Sequence, residues 1–226
     1  MEEIYQRTEL VIGKDKLNKL KNSHVLICGI GGVGSYALEA LGRIGIGKIT
    51  IVDKDVVDIT NINRQIIATL DNVGNNKVDE AKKRINSINP TIEVKAIKEN
   101  ITTENIHEII NSSYDYVIDA IDSVDAKIAI IESCKDLNIQ VISSMGTANK
   151  LNPLDIKITD INKTEVCPLA RVVRKKLKGK NIKNVKVVYS TEQAIKNDSN
   201  ILGSVSFVPS VAGLVIASEV VKDLIK

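Results

Sequence analysis

Residues 24–34 read HVLICGIGGVG. The first five form a continuous apolar run that ends in glycine, the pattern of a strand buried on both faces in a parallel sheet. The last six put Gly29, Gly31 and Gly34 at G-x-G-x-x-G spacing, with Gly32 inside the same turn. The residues that follow, SYALEALGRIG, place Tyr36, Ala37, Ala40, Leu41 and Ile44 at helical spacing. Strand, glycine turn and helix in that order predict a phosphate cradle. Glycine permits the tight turn and a close backbone approach, while the free N–H groups and the positive end of the helix dipole favour an anion. The bland alternative is a tight turn that binds nothing.

Outward from this unit the chain keeps the same rhythm. KITIVD, residues 48–53, is a second strand, and Asp53 stands 19 residues after Gly34, where a carboxylate can accept hydrogen bonds from ribose hydroxyls. A polar stretch of about twenty residues follows, longer than an ordinary βα connection. Residues 74–89 then read as a helix with Val78, Ala81, Ile85 and Ile88 on one face, stopped by Pro90. A third strand is predicted over 92–97, a threonine-capped helix over 102–111 and a fourth strand over 114–120. A helix over 126–137 and a fifth strand over 139–144 complete the alternation. This is the pattern of an α/β, Rossmann-like doubly wound parallel sheet. After Ser144 the rhythm changes: strands over 155–161 and 185–190 are separated by a basic helical segment, and the second is followed by a loop over 192–203. The expectation is a mixed or antiparallel continuation of one sheet. It makes residues 1–226 a single domain, 1–144 its nucleotide-binding half and 145–226 its substrate and dimer half. With only 13 Gly and 4 Pro there is no linker-like stretch to divide it.

Composition agrees with one sizeable core: 226 residues, 43% of them hydrophobic. The net charge of +3 says little about partners. Cys28, Cys134 and Cys167 are far apart and form no CxxC pair, which argues against a disulfide framework and a four-thiolate zinc site and points to a reducing, cytoplasmic setting. The opening MEEIYQRTEL carries acidic residues and no apolar run, so no secretory signal is expected. The longest apolar stretch, residues 205–221, contains Pro209, Ser210, Ser218 and Glu219. It reads as a buried helix, since a membrane span needs about 20 predominantly apolar residues. No integral membrane segment is expected; peripheral association is left open.

Residues 60–65, TNINRQ, separate two chemistries that share the glycine turn. Hydride transfer from NAD needs no extra cations near the pyrophosphate. Attack of a carboxylate on the α-phosphate of ATP builds negative charge on phosphoryl oxygens, which calls for Arg, Lys and magnesium. Arg64 lies in this loop, Lys77 in the first turn of the next helix, and Asn61 offers an amide donor. Asp122, in VIDAIDS after the fourth strand, falls at the carboxyl edge of the sheet, where ligands bind in such folds and where a carboxylate is a natural magnesium ligand.

GIGGVG, VDKDVVDITNINRQ, VGNNKV and DAIDS together resemble the adenylation domain of the ubiquitin-activating superfamily, whose bacterial branch includes ThiF- and MoeB-type enzymes. The resemblance implies ATP and Mg²⁺ as cofactors. Gly29, Gly31, Gly32, Gly34, Asp53, Asp55, Asn61, Arg64, Gln65 and Lys77 would bind the nucleotide, Asp53 at the ribose, and Asp122 the metal. Arg64, Lys77 and Asp122 would be catalytic, joined by Arg7 of YQRTEL, which matches an N-terminal arginine that reaches ATP from the partner subunit. A homodimer would then be required; otherwise Arg7 is a solvated arginine in a loose terminus. QRTELVIG, TNINRQI, KTEVCPLA and SFVPSVAGLVIASEVV, with the motifs above, resemble the tRNA threonylcarbamoyladenosine dehydratases over almost the whole chain. That branch adenylates the threonyl carboxylate of a modified adenosine beside the anticodon. A nitrogen of the same side chain then attacks and expels AMP, closing a ring by proximity. The alternative is an adenylyltransferase for the C-terminus of a ubiquitin-like sulfur carrier, although such members typically carry two CxxC pairs.

The basic segment 171–186, RVVRKKLKGKNIKNVK, holds eight of the 31 basic residues and no acid; the rest of the chain carries 23 against 28, or −5. Arg171, Arg174, Lys175, Lys176, Lys178 and Lys180 are the candidate tRNA contacts, the plain alternative being a solvated helix face. Cys167 sits where superfamily members carry a catalytic thiol, but the reaction needs no thioester, and it reads as a small residue before Pro168. His24 and His107 are not placed as general bases. An accessory sulfur-transfer protein is a further partner to consider.

Overall fold

The computed structural model describes residues 2–196, 198 and 201–226. A short 3-10 turn, α1 (Gln6–Ile12) and α2 (Lys14–Lys21) precede the sheet. The strands are β1 (His24–Cys28), β2 (Lys48–Val52), β3 (Glu93–Ile97), β4 (Tyr116–Asp119), β5 (Gln140–Ser144), β6 (Ile156–Asp160) and β7 (Lys186–Ser190). They form one sheet in the order β3-β2-β1-β4-β5-β7-β6. Every pairing is parallel except β6 with β7, so the mixed continuation expected after Ser144 is one antiparallel edge strand. The apolar runs in β1, β2 and β4 are buried because helices cover both faces, whereas β3 at one edge and β6 at the other keep polar residues exposed. Strand order reverses between β1 and β4, and a crevice opens at their carboxyl ends.

Three helices cover one face: α3 (Gly34–Ile44), α4 (Lys77–Ile88) and the C-terminal α8 (Phe207–Leu224). The small α5 (Ile106–Ile109) and α6 (Val124–Asp136) cover the other, and α7 (Pro168–Gly179) packs beside α6 over β7. The apolar stretch read as a buried helix is α8, with Pro209 in its first turn, where the ring displaces no helical hydrogen bond. At Gly213 a Cβ would stand 2.3 Å from the Val33 carbonyl oxygen, so α8 rides directly on the start of α3. Among the described residues no helix is long and apolar enough to cross a membrane.

One predicted helix shrinks. Over 102–111 only Ile106–Ile109 is helical. Asn105 Oδ1 accepts the Thr102 N–H at 2.8 Å, and the Thr102 hydroxyl accepts from Glu104 and Asn105 N–H, so side chains close a turn where helical bonds were expected. Nor is the segment that carries Arg7 irregular. Tyr5 is buried, its hydroxyl accepting from Asn89 Nδ2 at 2.7 Å, and Arg7 lies on a formed helix.

Candidate active site

The carboxyl ends of the central strands open into a cavity of about 420 Å³. Its walls include Gly29, Gly31, Gly32, Asp53, Asp55, Asn61, Arg64, Gln65, Lys77 and Asp122. Residues far apart in sequence thus meet at one crevice.

The glycines divide the work. A Cβ on Gly29, whose φ is +90°, would lie 2.8 Å from the Ala120 carbonyl oxygen, and one on Gly34 would lie 1.9 Å from that of Gly29. Backbone packing therefore demands both, and Gly34 stands behind the turn, outside the cavity wall. At Gly31 the nearest atom to an added Cβ is Gln65 Nε2, 3.9 Å away. The space there is open to the cavity, as an approaching phosphate requires. Pro209 closes the other side, 3.2 Å from where a Gly32 Cβ would be.

Asp53 accepts the Ile30 N–H on Oδ2 at 2.6 Å and the Asp55 N–H on Oδ1 at 2.8 Å. Each oxygen keeps lone-pair capacity for a hydroxyl, with the carboxylate locked in place. Lys77, the first residue of α4, is buried; its ammonium lies 3.0 Å from Asp55 Oδ2, and its N–H donates to the Asp55 carbonyl at 3.0 Å. The TNINRQ loop is a tight capped turn: Asp58 caps it through the Thr60 N–H at 2.8 Å, and Asn61 Oδ1 accepts the Asp58 N–H at 3.2 Å. This leaves the Asn61 amide nitrogen for a ligand. Arg64 Nη1 donates to the Thr60 carbonyl and to Asn63 Oδ1, both at 2.8 Å, which ties the guanidinium to its own loop, while the Arg64 Cγ would stand 3.4 Å from a Cβ on Gly32. Gln65 Oε1 is buried with no partner among the described residues, a group that a donor on a bound ligand would satisfy. Asp122 is exposed and also lines the cavity.

Several wall residues were not foreseen: Lys54, Glu99, Ser123, Thr147, Ala148, Leu202, Gly203 and Ser204. The last five come from two loops that are stitched together. Asn149, at φ +56°, donates its N–H to the Gly203 carbonyl at 2.8 Å and accepts the Gly203 N–H on Oδ1 at 2.6 Å. Asn63 Nδ2 donates to the Ser204 carbonyl at 3.1 Å, tying this wall to the TNINRQ loop. The buried Lys150 ammonium donates to the Ser190 carbonyl at 3.1 Å, and burial holds its pKa below the usual lysine range. No local spacing announces these contacts, since the two loops lie more than fifty residues apart.

Other candidates sit elsewhere. Arg7 is exposed on α1 and is not part of its own chain's cavity wall. Cys28, Cys134 and Cys167 are free and buried; burial raises the Cys28 thiol, and Cys134 is pushed up to about 12. Cys167 packs its Sγ toward Gly146 and does not reach the cavity wall. His24 heads β1 at the far end of the sheet, and His107 is exposed on α5. On the basic segment, Arg174 Nη1 donates to the Thr164 carbonyl at 2.7 Å, Lys180 pairs with Glu132 at 2.8 Å and Lys176 pairs with Asp125. Arg171, Lys175 and Lys178 are exposed and form no ion pair among the described residues.

The ThiF family profile matches residues 5–226. The tRNA threonylcarbamoyladenosine dehydratase of Bacillus subtilis is 46% identical to the chain, over 98% of this chain and 94% of its own length. The Escherichia coli enzyme TcdA, a tRNA N6-threonylcarbamoyladenosine dehydratase, superposes in its AMP-bound crystal structure with a TM-score of 0.94 at 37% identity, covering 98% of this chain and 94% of TcdA. Its ATP-bound crystal structure superposes with a TM-score of 0.93 at 36% identity, covering 98% and 93%. The chain therefore belongs to the ThiF family and, within it, to the tRNA threonylcarbamoyladenosine dehydratases.

Proposed function

We propose that the chain uses ATP to adenylate the threonyl carboxylate of threonylcarbamoyladenosine in tRNA, next to the anticodon, and cyclises it with release of AMP. The observation that carries this reading is that Arg64, Lys77 and Asp122 line one cavity together with the glycine turn. A carboxylate oxygen attacks the α-phosphorus and pyrophosphate departs; Arg64 and Lys77 take up the charge on the phosphoryl oxygens. A nitrogen of the same side chain then attacks the acyl carbon, AMP leaves, and the net change in the nucleoside is loss of one water. No nucleophile from the protein is needed, in keeping with buried cysteines. Asp53 positions the ribose, with Asp55, Asn61 and Gln65 completing the nucleotide contacts.

Asp122 would hold magnesium. Among the described residues no three His, Cys, Asp or Glu gather into a metal cage, and a lone carboxylate sharing the ion with phosphates and water is the usual magnesium arrangement. When bound, the ion supplies charge neutralisation at the phosphates. Leu10 and Val11 are 83% and 84% exposed on α1 beside Arg7, which supports a homodimer in which each Arg7 serves the partner's site. Arg171, Lys175 and Lys178 form the face for tRNA phosphates. A cytoplasmic location and an accessory sulfur-transfer protein belong to the same reading.

Incubation with threonylcarbamoylated tRNA and Mg-ATP, followed by nucleoside mass analysis, should give loss of one water. Pyrophosphate release stimulated only by a sulfur carrier would overturn the proposal. Reversing Arg171, Lys175 and Lys178 to Glu should weaken tRNA binding and flatten its salt slope by about three, roughly one per phosphate contact. Unchanged affinity and slope would remove the basic face from the reading.

A further inference from the structure

Beneath the cavity lies an ion pair that the proposed chemistry does not use. Lys127, in the first turns of α6, and Asp119, the last residue of β4, are both completely buried. The ammonium stands 3.1 Å from each Asp119 oxygen, 2.7 Å from the Ser144 carbonyl oxygen and 3.4 Å from Ser143 Oγ. Asp119 also accepts the Ser143 hydroxyl at 2.5 Å and the Ile121 N–H at 3.3 Å. Stability does not explain such a pair, because removing two charges from water often costs more than their attraction returns, and an apolar pair of similar volume does as well.

The atoms it grips suggest another role. The Ile121 N–H immediately precedes Asp122 in the cavity lining, and the Ser144 carbonyl closely precedes the segment that delivers Thr147 and Ala148 to the same lining. Lys127 itself stands five residues after Asp122, on the helix that follows it. Through one ammonium, the ends of β4 and β5 and the start of α6 are held to one another. We propose that Lys127 is a positioning residue that fixes Asp122 and the Thr147 and Ala148 wall relative to each other. It never touches the nucleotide; it sets the distance across which the carboxylate and the phosphates must meet. Its catalytic consequence rests on the proposed function, whereas its structural consequence does not.

Lys127→Met alone leaves Asp119 charged and unpaired and should melt early. Asp119→Asn combined with Lys127→Met removes both charges and should melt within about 5 °C of the parent, as neutral replacements of buried pairs do. In that double variant the amides of residues 121–123 and 146–148 should exchange about tenfold faster or more, while those of β1 and β2 stay unchanged. Turnover on threonylcarbamoylated tRNA should fall about tenfold or more with the KM for ATP within about threefold, since misplacement acts on the transition state. Ser143→Ala, which removes one hydroxyl, should give the same pattern at about threefold. Unchanged exchange in both segments overturns the proposal, as does turnover that recovers together with melting. A double variant that does not fold also overturns it, because the pair would then be structural. If the parent protein itself leaves the tRNA unchanged, the functional reading fails while amide exchange still judges Lys127.

Discussion

The two ends of the same sheet treat polar side chains in opposite ways. At the carboxyl edge, among the described residues, Asp122 is exposed without an ion pair, Gln65 Oε1 is buried without a partner, and Arg64 is held only by oxygens of its own loop. At the amino edge the charges are matched. The Tyr116 hydroxyl, at the start of β4, donates to Asp223 Oδ2 at 2.9 Å; Lys186, at the start of β7, pairs with Asp223 and with Glu219 at 2.7 Å; Lys226 pairs with Asp223 at 2.6 Å. Lys48 and Glu93, heading β2 and β3, pair at 2.8 Å. The carboxyl edge mixes matched pairs, Lys77 with Asp55 and Lys127 with Asp119, with groups that are left open; the amino edge uses its charges to hold α8 to the sheet. Function and stability are therefore separable on this scaffold.

The sharpest break in that comparison would come from the carboxyl edge. Arg64→Ala and Lys77→Ala should each lower the cyclisation rate by about 10²–10³-fold, the usual loss for one donor to transition-state charge. Melting should move little, because Arg64 bonds only its own loop and Asp55 is half exposed. A large fall in melting temperature with turnover intact would invert the comparison. At the amino edge the reverse is expected: Lys186→Met should destabilise the fold by about 1–3 kcal/mol in denaturant titration, by leaving the buried Asp223 carboxylate short of a donor. Turnover below the transition should be unchanged. Tyr116→Phe should cost about 1 kcal/mol in the same titration.

The smallest effect expected is a pH dependence. Burial, aided by Lys48, lowers the His24 pKa below 6.5, so the folded state prefers the neutral ring. The unfolded chain then binds more protons just below pH 6.5, and stability falls as the pH drops through that window. Thermal melts from pH 7.5 to 5.5 should show the loss, and His24→Asn should remove part of it. Asp223 acts further down. Burial pushes its carboxyl up, but hydrogen bonds from Lys186, Lys226 and Tyr116 outweigh this and leave it below 3.8. Its contribution is present above that value and is lost as the pH falls through the lower, folded one.

The readable parts of the molecule were local ones. A strand, a glycine turn and a helix announce themselves within twenty residues, because backbone sterics at Gly29 and Gly34 act over one turn. TNINRQ was legible for the same reason: its residues reach the cavity from a single capped loop. The helix over 102–111 failed where Thr102 and Asn105 offered the backbone a competing turn of nearly equal appeal. In VIDAIDS, Asp119 and Asp122 look alike in the sequence, yet one is sealed beneath Lys127 and the other faces the cavity. The basic segment reads as a uniform charge block, but Asp125, Glu132 and Thr164 engage half of its candidate cations.

By itself the sequence determined the order of strands and helices from β1 onward, the glycine turn, and that Asp53, Arg64 and Lys77 come near it, because each depends on hydrophobic period and turn chemistry between near neighbours. Only the tertiary structure decided which carboxylate is buried, which cations are free, and that residues 147, 148 and 202–204 complete the wall. Those outcomes depend on where the ends of β4, β5 and β7 stand beside one another, and strand pairing over a hundred residues leaves no trace in local spacing.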